Sequence, residues 1–232
     1  MNNRYAEIAA ENGKTFRAYV TTHREERKPG LIVCAEAFGV NSHMRALADR
    51  YAAMGFTVIV PDVFWRIEPD MELPYTEEGL KRASENLALF DRDHGVADIR
   101  RTIDALRAMP ECNGKVGIIG FCIGGALAYL AAARLGVDAC VSYYGKGIED
   151  HLDEADKVNC PSVLHYGGAD RFIPEHVVAR VRSSLAHKPN IRIFSYPGVD
   201  HGFNSEDRKA YHAEAARIAA ERTNLVLDTL KV

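Results

Sequence analysis

Three residues combine a type and an order suited to acyl transfer: Cys122, Asp170 and His201. Cys122 stands in Gly120-Phe121-Cys122-Ile123-Gly124, between the apolar run Lys115–Ile119 and an Ala/Leu-rich stretch reaching about Leu135. A strand that turns directly into a helix leaves the nucleophile on a strained backbone, so the residues two before and two after it must be small. Such a turn presents the thiol at the carboxyl end of a strand and at a helix N-terminus, whose dipole favours the thiolate. The N–H of Ile123 then points where an oxyanion forms. An isolated G-x-C-x-G reads as a structural cysteine beside a packing contact; the strand before it and the helix after it argue for the nucleophile.

A nucleophile on such a turn needs a base and a group that orients the base, in the chain order nucleophile, acid, histidine. Asp170 ends Gly167-Gly168-Ala169-Asp170 after the run Ser162–Tyr166, and His201 lies in Pro197-Gly198-Val199-Asp200-His201-Gly202-Phe203 after Ile191–Tyr196. Both positions are strand ends, where ligands meet in open α/β sheets. Asp200 is the rival acid, but its adjacency to His201 aims its side chain elsewhere, and Asp170 is preferred. His165 lies inside a strand and reads as a core residue. His23, His43, His94, His151, His176, His187 and His212 sit in polar stretches and read as solvated. No histidine pair has the spacing of a metal motif and no G-K-[ST] follows the glycines, so neither metal nor cofactor is expected.

The elements that position these residues alternate. Arg4–Ala10 and Thr15–Thr22 flank Asn12-Gly13, a hairpin signal. Leu31–Ala35 and Phe56–Val60 read as buried strands around a helix capped by Asn41 or Ser42, with Met44, Leu47, Ala48, Tyr51 and Ala52 on one face. Residues 63 to 75, with Trp65, Pro69 and Pro74, read as a binding loop or lid. Helical stretches follow at 76–91 and through Val96, Ile99, Ile103 and Leu106. Strands are read at Lys115–Ile119, Ala139–Tyr144, Ser162–Tyr166 and Ile191–Tyr196, and helices at 174–186 and 207–230. Buried strands alternating with helices predict one three-layer α/β domain over residues 1–232, with a mostly parallel sheet of about eight strands.

Composition narrows the function classes. The 232 residues carry 29 Lys and Arg against 32 Asp and Glu, a net charge of −3, which argues against nucleic acid as a partner. No apolar run approaches a membrane span. The polar start Met1–Glu7 is unlike a signal peptide, so a cytoplasmic protein is expected. The five cysteines, Cys34, Cys112, Cys122, Cys140 and Cys160, form no C-x-x-C pair, so most are expected to be reduced and buried.

From about Leu31 to Leu230 the sequence resembles the dienelactone hydrolase (carboxymethylenebutenolidase) family of the α/β-hydrolase fold. The likeness rests on Ala35-Glu36-Ala37-Phe38-Gly39-Val40-Asn41, Pro61-Asp62-Val63-Phe64 and Asn113-Gly114-Lys115-Val116-Gly117. It continues in the segment from Gly120 to Ala128, in Tyr143-Tyr144-Gly145 and from Gly167 to Pro174. The resemblance implies a carboxylic ester hydrolase with a Cys122–His201–Asp170 triad. It also implies Glu36 as a fourth member, holding the thiol protonated until substrate displaces it, and the N–H of Ala37 as the second oxyanion donor beside Ile123. The family's two carboxylate-binding arginines match Leu80 and Ser205 here, which predicts weaker use of carboxylate-bearing dienelactones than of neutral esters or lactones. Lys81, Arg82 and Tyr144 are the candidate substrate-binding residues, with Arg208 a further cation. The expected partner is a small lactone or ester, and the expected assembly a monomer or weak homodimer. A thiol-based sensor or binding protein on the same scaffold is the alternative.

Overall fold

The computed structural model describes residues 2–22 and 26–232; the solvated reading of His23 lies outside the described residues. Eight strands form one sheet in the order β1-β2-β4-β3-β5-β6-β7-β8. They are β1 (Asn2–Ala9), β2 (Thr15–Thr22), β3 (Lys28–Cys34), β4 (Thr57–Pro61), β5 (Cys112–Phe121), β6 (Ala139–Tyr143), β7 (Ser162–Gly167) and β8 (Ile191–Tyr196). The helices are α1 (Ser42–Ala53), α2 (Glu77–Ala88), α3 (Arg92–Ala108), α4 (Ile123–Arg134), α5 (Glu175–Leu185) and α6 (Ala213–Leu227). The chain divides into two compact units, Met1–Gly117 and Ile118–Val232.

In the first unit β1 and β2 form an antiparallel hairpin with Ala9 opposite Thr15. Its loop is wider than a two-residue turn: a 3-10 turn over Glu11–Gly13 fills it, with Gly13 at φ 74° and Ala10 N–H donating to Lys14 O at 2.8 Å. β3 and β4 pair in parallel, and Leu31, Ile32, Val33, Val58, Ile59 and Val60 are fully buried. Each contributes about 1.5–3 kcal/mol through burial, which fixes these uninterrupted apolar runs as the core of the unit. Asn41, rather than Ser42, caps α1: its Oδ1 accepts from Met44 N–H at 3.1 Å. His43 departs from its solvated reading, because α1 turns it onto the helix's buried face.

Residues 63 to 75 form no regular element beyond a single bridging residue, yet they are firmly tied. Both Asp62 carboxylate oxygens accept backbone N–H bonds, from Phe64 at 3.0 Å and Asp70 at 2.8 Å. Trp65 Nε1–H donates to Asp98 at 3.0 Å, and Arg66 pairs with the same carboxylate. The stretch then pairs with the turn after β3 through Val40 N–H to Met71 O at 3.1 Å and Leu73 N–H to Phe38 O at 2.9 Å.

In the second unit β6, β7 and β8 run parallel. The segment Ile123-Gly124-Gly125-Ala126-Leu127-Ala128-Tyr129-Leu130-Ala131-Ala132 of α4 is buried throughout, as a helix apolar on every side must be. The final helix is shorter than the sequence reading. Residues 202–212 make successive turns instead, with Ser205 N–H to Gly202 O and Arg208 N–H to Ser205 O at 3.1 Å each. α6 starts where His212 Nδ1 caps Ala215 N–H at 3.2 Å.

Candidate active site

Cys122 links β5 to α4 with φ 56° and ψ −120°. A non-glycine residue at positive φ is strained, and such strain gathers at functional positions. The surrounding glycines answer a close approach: a Cβ on Gly120 would lie 1.8 Å from Gly124 O, and one on Gly125 2.8 Å from Gly145 Cα. Cys122 N–H donates to Tyr143 O at 3.0 Å, fixing the turn to the end of β6. Ile123 opens α4, so its N–H has no acceptor within the helix and remains available to a developing oxyanion.

His201 and Asp170 meet at the ends of β8 and β7. His201 Nδ1 lies 2.7 Å from Asp170 Oδ2, and both side chains are buried. The other Asp170 oxygen accepts the N–H groups of Phe172 at 2.8 Å and Ile173 at 3.1 Å, which holds the carboxylate still. His201 also hydrogen-bonds Cys122. Burial lowers the imidazole's proton affinity, but the Cys122 charge and the Asp170 hydrogen bond outweigh it, and the pKa rises to about 10. Asp200, the rival acid, turns to the backbone: its Oδ1 accepts His201 N–H at 2.7 Å, and its Oδ2 lies 3.5 Å from Arg171.

Aromatic rings enclose the imidazole. The buried Tyr144 ring lies 4.8 Å from it, and the Phe172 ring meets it edge-on at 5.2 Å. Phe172 was not among the residues singled out from sequence, although its place two residues after the predicted acid was a signal that could have found it.

The remaining sequence candidates belong to the first unit. Glu36 and Ala37 follow β3 after Ala35 and are buried, in a turn closed by Gly39 N–H to Glu36 O at 3.2 Å. Gly39, at φ 73°, lies so near the 63–75 stretch that a Cβ would fall 1.9 Å from Met71 O. Lys81 and Arg82 are exposed on α2, and Arg82 Nε is held by Glu68 at 3.0 Å. Among the described residues no three His, Cys, Asp or Glu side chains converge as a metal site requires. Four of the five cysteines are buried and only Cys122 is partly exposed.

The model of the dienelactone hydrolase family matches residues 16–231. The chain belongs to the dienelactone hydrolase family. Carboxymethylenebutenolidases of Pseudomonas putida and of Pseudomonas sp. strain P51 are each 34% identical to this family member. The first match covers 93% of this chain and 92% of the relative, the second 97% and 94%. Among solved structures, a dienelactone hydrolase-like promiscuous phosphotriesterase from metagenomic libraries superposes with a TM-score of 0.81 at 21% identity over 99% of both chains. The dienelactone hydrolase of Anabaena variabilis gives 0.69 at 20% identity, over 94% of this chain and 95% of that one. At those identities the likeness establishes the α/β-hydrolase fold. No helix among the described residues is long and apolar enough to cross a membrane.

Proposed function

We propose that this dienelactone hydrolase family member cleaves a small lactone or ester through Cys122, His201 and Asp170. The observation that carries the reading is His201, joined to the strained Cys122 on one side and to Asp170 at 2.7 Å on the other. The Cys122 thiolate attacks the carbonyl carbon, and the N–H of Ile123, with that of Ala37 in the role the resemblance implies, receives the oxyanion. Collapse of the adduct expels the alkoxide, which takes its proton from the His201 imidazolium. A water then gives a proton to His201 and attacks the thioester, releasing the acid and regenerating the thiolate. Asp170 keeps Nδ1 protonated and the ring in place throughout.

Glu36 takes the role that the resemblance implies, a carboxylate that opposes the thiolate until substrate is bound. Glu36→Gln is then expected to speed alkylation of Cys122 by iodoacetamide; an unchanged or slower rate would remove Glu36 from the mechanism. Residues 1–232 are read as one functional domain, since the family match runs through both compact units. A cytoplasmic monomer or weak homodimer is the proposed setting, and five unbridged cysteines suit a reducing compartment.

The deciding test is a screen of small esters and lactones against the wild type and Cys122→Ala. Turnover by the wild type alone supports the reading. Turnover by neither favours the thiol sensor.

A further inference from the structure

We propose that Asp62 is a positioning residue of this reaction: its buried carboxylate holds residues 63–75 against the turn after β3, and so keeps the Ala37 N–H where the oxyanion forms. The inference rests on the hydrolase reading and adds a residue to it. Ala37 is 6% exposed, and among the described residues its N–H meets no acceptor. A buried backbone donor left open is unfavourable unless a ligand uses it. It must also be held still, because an oxyanion donor acts only at hydrogen-bond distance.

Residues 63–75 grip the turn just beyond Ala37. Phe38 O accepts Leu73 N–H at 2.9 Å, Met71 O accepts Val40 N–H at 3.1 Å, and the Tyr75 ring meets the Phe38 ring edge-on at 4.7 Å. The grip hangs in turn on Asp62. That residue follows β4, and its own N–H is bonded to Arg17 O of β2 at 2.9 Å, so it stands on the sheet. One carboxylate oxygen accepts Phe64 N–H and the other Asp70 N–H. Asp70 is strained at φ 57° and immediately precedes Met71. The carboxylate thus fixes the peptide at which the stretch turns back toward Gly39.

The chemistry of the side chain supports a dedicated role. Burial pushes the Asp62 carboxyl up to about 6, against the two N–H bonds, and the charges of Asp70 and of Asp98 on α3 push the same way. Tyr5 of β1, Arg17 and Tyr19 of β2, and Asp70 and Glu72 of the stretch line one cleft with it. Arg17 pairs with Asp70 at 2.9 Å and Arg66 with Asp98, while among the described residues no cation pairs with Asp62 itself. An ionised carboxylate buried without a cation lowers stability. Only a carboxylate, however, offers an acceptor to each of two N–H groups; an amide would turn its NH2 on one of them.

The test compares the wild type with Asp62→Asn in two assays. In hydrolysis of 4-nitrophenyl acetate, kcat is expected to fall about 10- to 100-fold with KM within about three-fold, since the oxyanion exists only past the ground state. In the second assay trifluoroacetone is added and its Cys122 adduct followed by fluorine NMR. The thiolate adds to the carbonyl carbon, a C–S bond forms, and the π pair of the C=O bond becomes the oxyanion. The adduct should dissociate about 10- to 100-fold more readily in Asp62→Asn. In the wild type, kcat and adduct affinity should both fall as pH drops through about 6, where Asp62 gains a proton, and Asp62→Asn should remove that limb. Unchanged kcat and adduct affinity overturn the proposal. So does a lower kcat with adduct affinity retained, since Asp62 would then act elsewhere than on the oxyanion. If Asp62→Asn does not fold, hydrogen exchange of the wild type decides. Protection of residues 36–41 and 63–75 should fall together below a pH of about 6, and protection that stays or falls in one segment alone overturns the proposal. If the wild type hydrolyses no ester, the hydrolase reading fails, while the adduct still decides the role of Asp62.

Discussion

Two buried histidines of the second unit show what surroundings do to one side chain. His201, at the end of β8, faces Cys122 and Asp170, and its pKa is pushed up to about 10 against the opposing effect of burial. His165, in the middle of β7, lies between two hydroxyls, Tyr196 at 2.9 Å on Nδ1 and Thr223 at 3.1 Å on Nε2. Burial, helped by the Arg222 charge, pulls its pKa down to about 3. Arg222 donates to the Tyr196 oxygen at 3.2 Å, which ties α6 to β8. The Thr223 hydroxyl in turn hydrogen-bonds the Tyr143 hydroxyl at 2.8 Å. His165 is held neutral by its lowered pKa and is a structural link between β6, β7, β8 and α6. His201 faces Cys122 and Asp170, which raise its pKa, and so can hold a proton at neutral pH. Burial alone makes neither a base nor a spacer; the partners decide.

The largest effect expected is that of Cys122→Ala, which should lower kcat by about 10⁴ to 10⁶. It should also lower the His201 pKa, followed by NMR titration, because Cys122 is the leading cause raising it. A His201 pKa that stays near 10 in this variant would break the comparison. Asp170→Asn should cost about 10⁴ in kcat, since the amide favours the wrong tautomer of the imidazole. Asp200→Asn, whose carboxylate faces the backbone, should cost less than about tenfold. Reversal of that order would move the acid of the triad to Asp200.

His165→Leu leaves the Tyr196 and Thr223 hydroxyls short of a partner and should cost about 2–3 kcal/mol in a urea titration, with kcat within a few-fold of wild type. The two histidines also predict opposite pH limits to stability. His165 has a lowered pKa, so its contribution is present above 6.5 and is lost as pH falls toward about 3. His201 has a raised pKa, so its contribution is full below 6.5 and is lost as pH rises through about 10. Stability measured against pH should lose much of its acid-side slope in His165→Leu and of its alkaline-side slope in His201→Gln. The smallest effect is expected from Arg82→Ala, which breaks a solvent-exposed pair with Glu68 and should change kcat/KM less than about two-fold.

Much of this was legible in the chain. Glycine two before and two after Cys122 is demanded by a backbone approach so close that Gly120 admits no Cβ, and a local constraint of that kind leaves a local pattern. Apolar runs such as Leu31-Ile32-Val33 and Val58-Ile59-Val60 mark buried strands because they leave no polar face to turn toward water. The tie between residues 63–75 and the turn after β3 left no such trace, because it depends on backbone groups whose partners lie some thirty residues away. The burial of His43 comes from the face that α1 turns inward, and the turns over residues 202–212 are closed by their own backbone bonds in a stretch that reads equally well as helix.

The sequence by itself determined the alternation of strands and helices, the nucleophile turn and the order Cys122, Asp170, His201, since each follows from residue type and near spacing. Asp170, preferred over Asp200 in the sequence, does face the imidazole; only the tertiary structure decided that Phe172 leans on that ring and that Lys146 stands over Phe172. Those are directions of side chains carried by separate strand-end loops. Period and composition encode which way an element faces; where the loops of β6, β7 and β8 converge depends on the sheet that carries them.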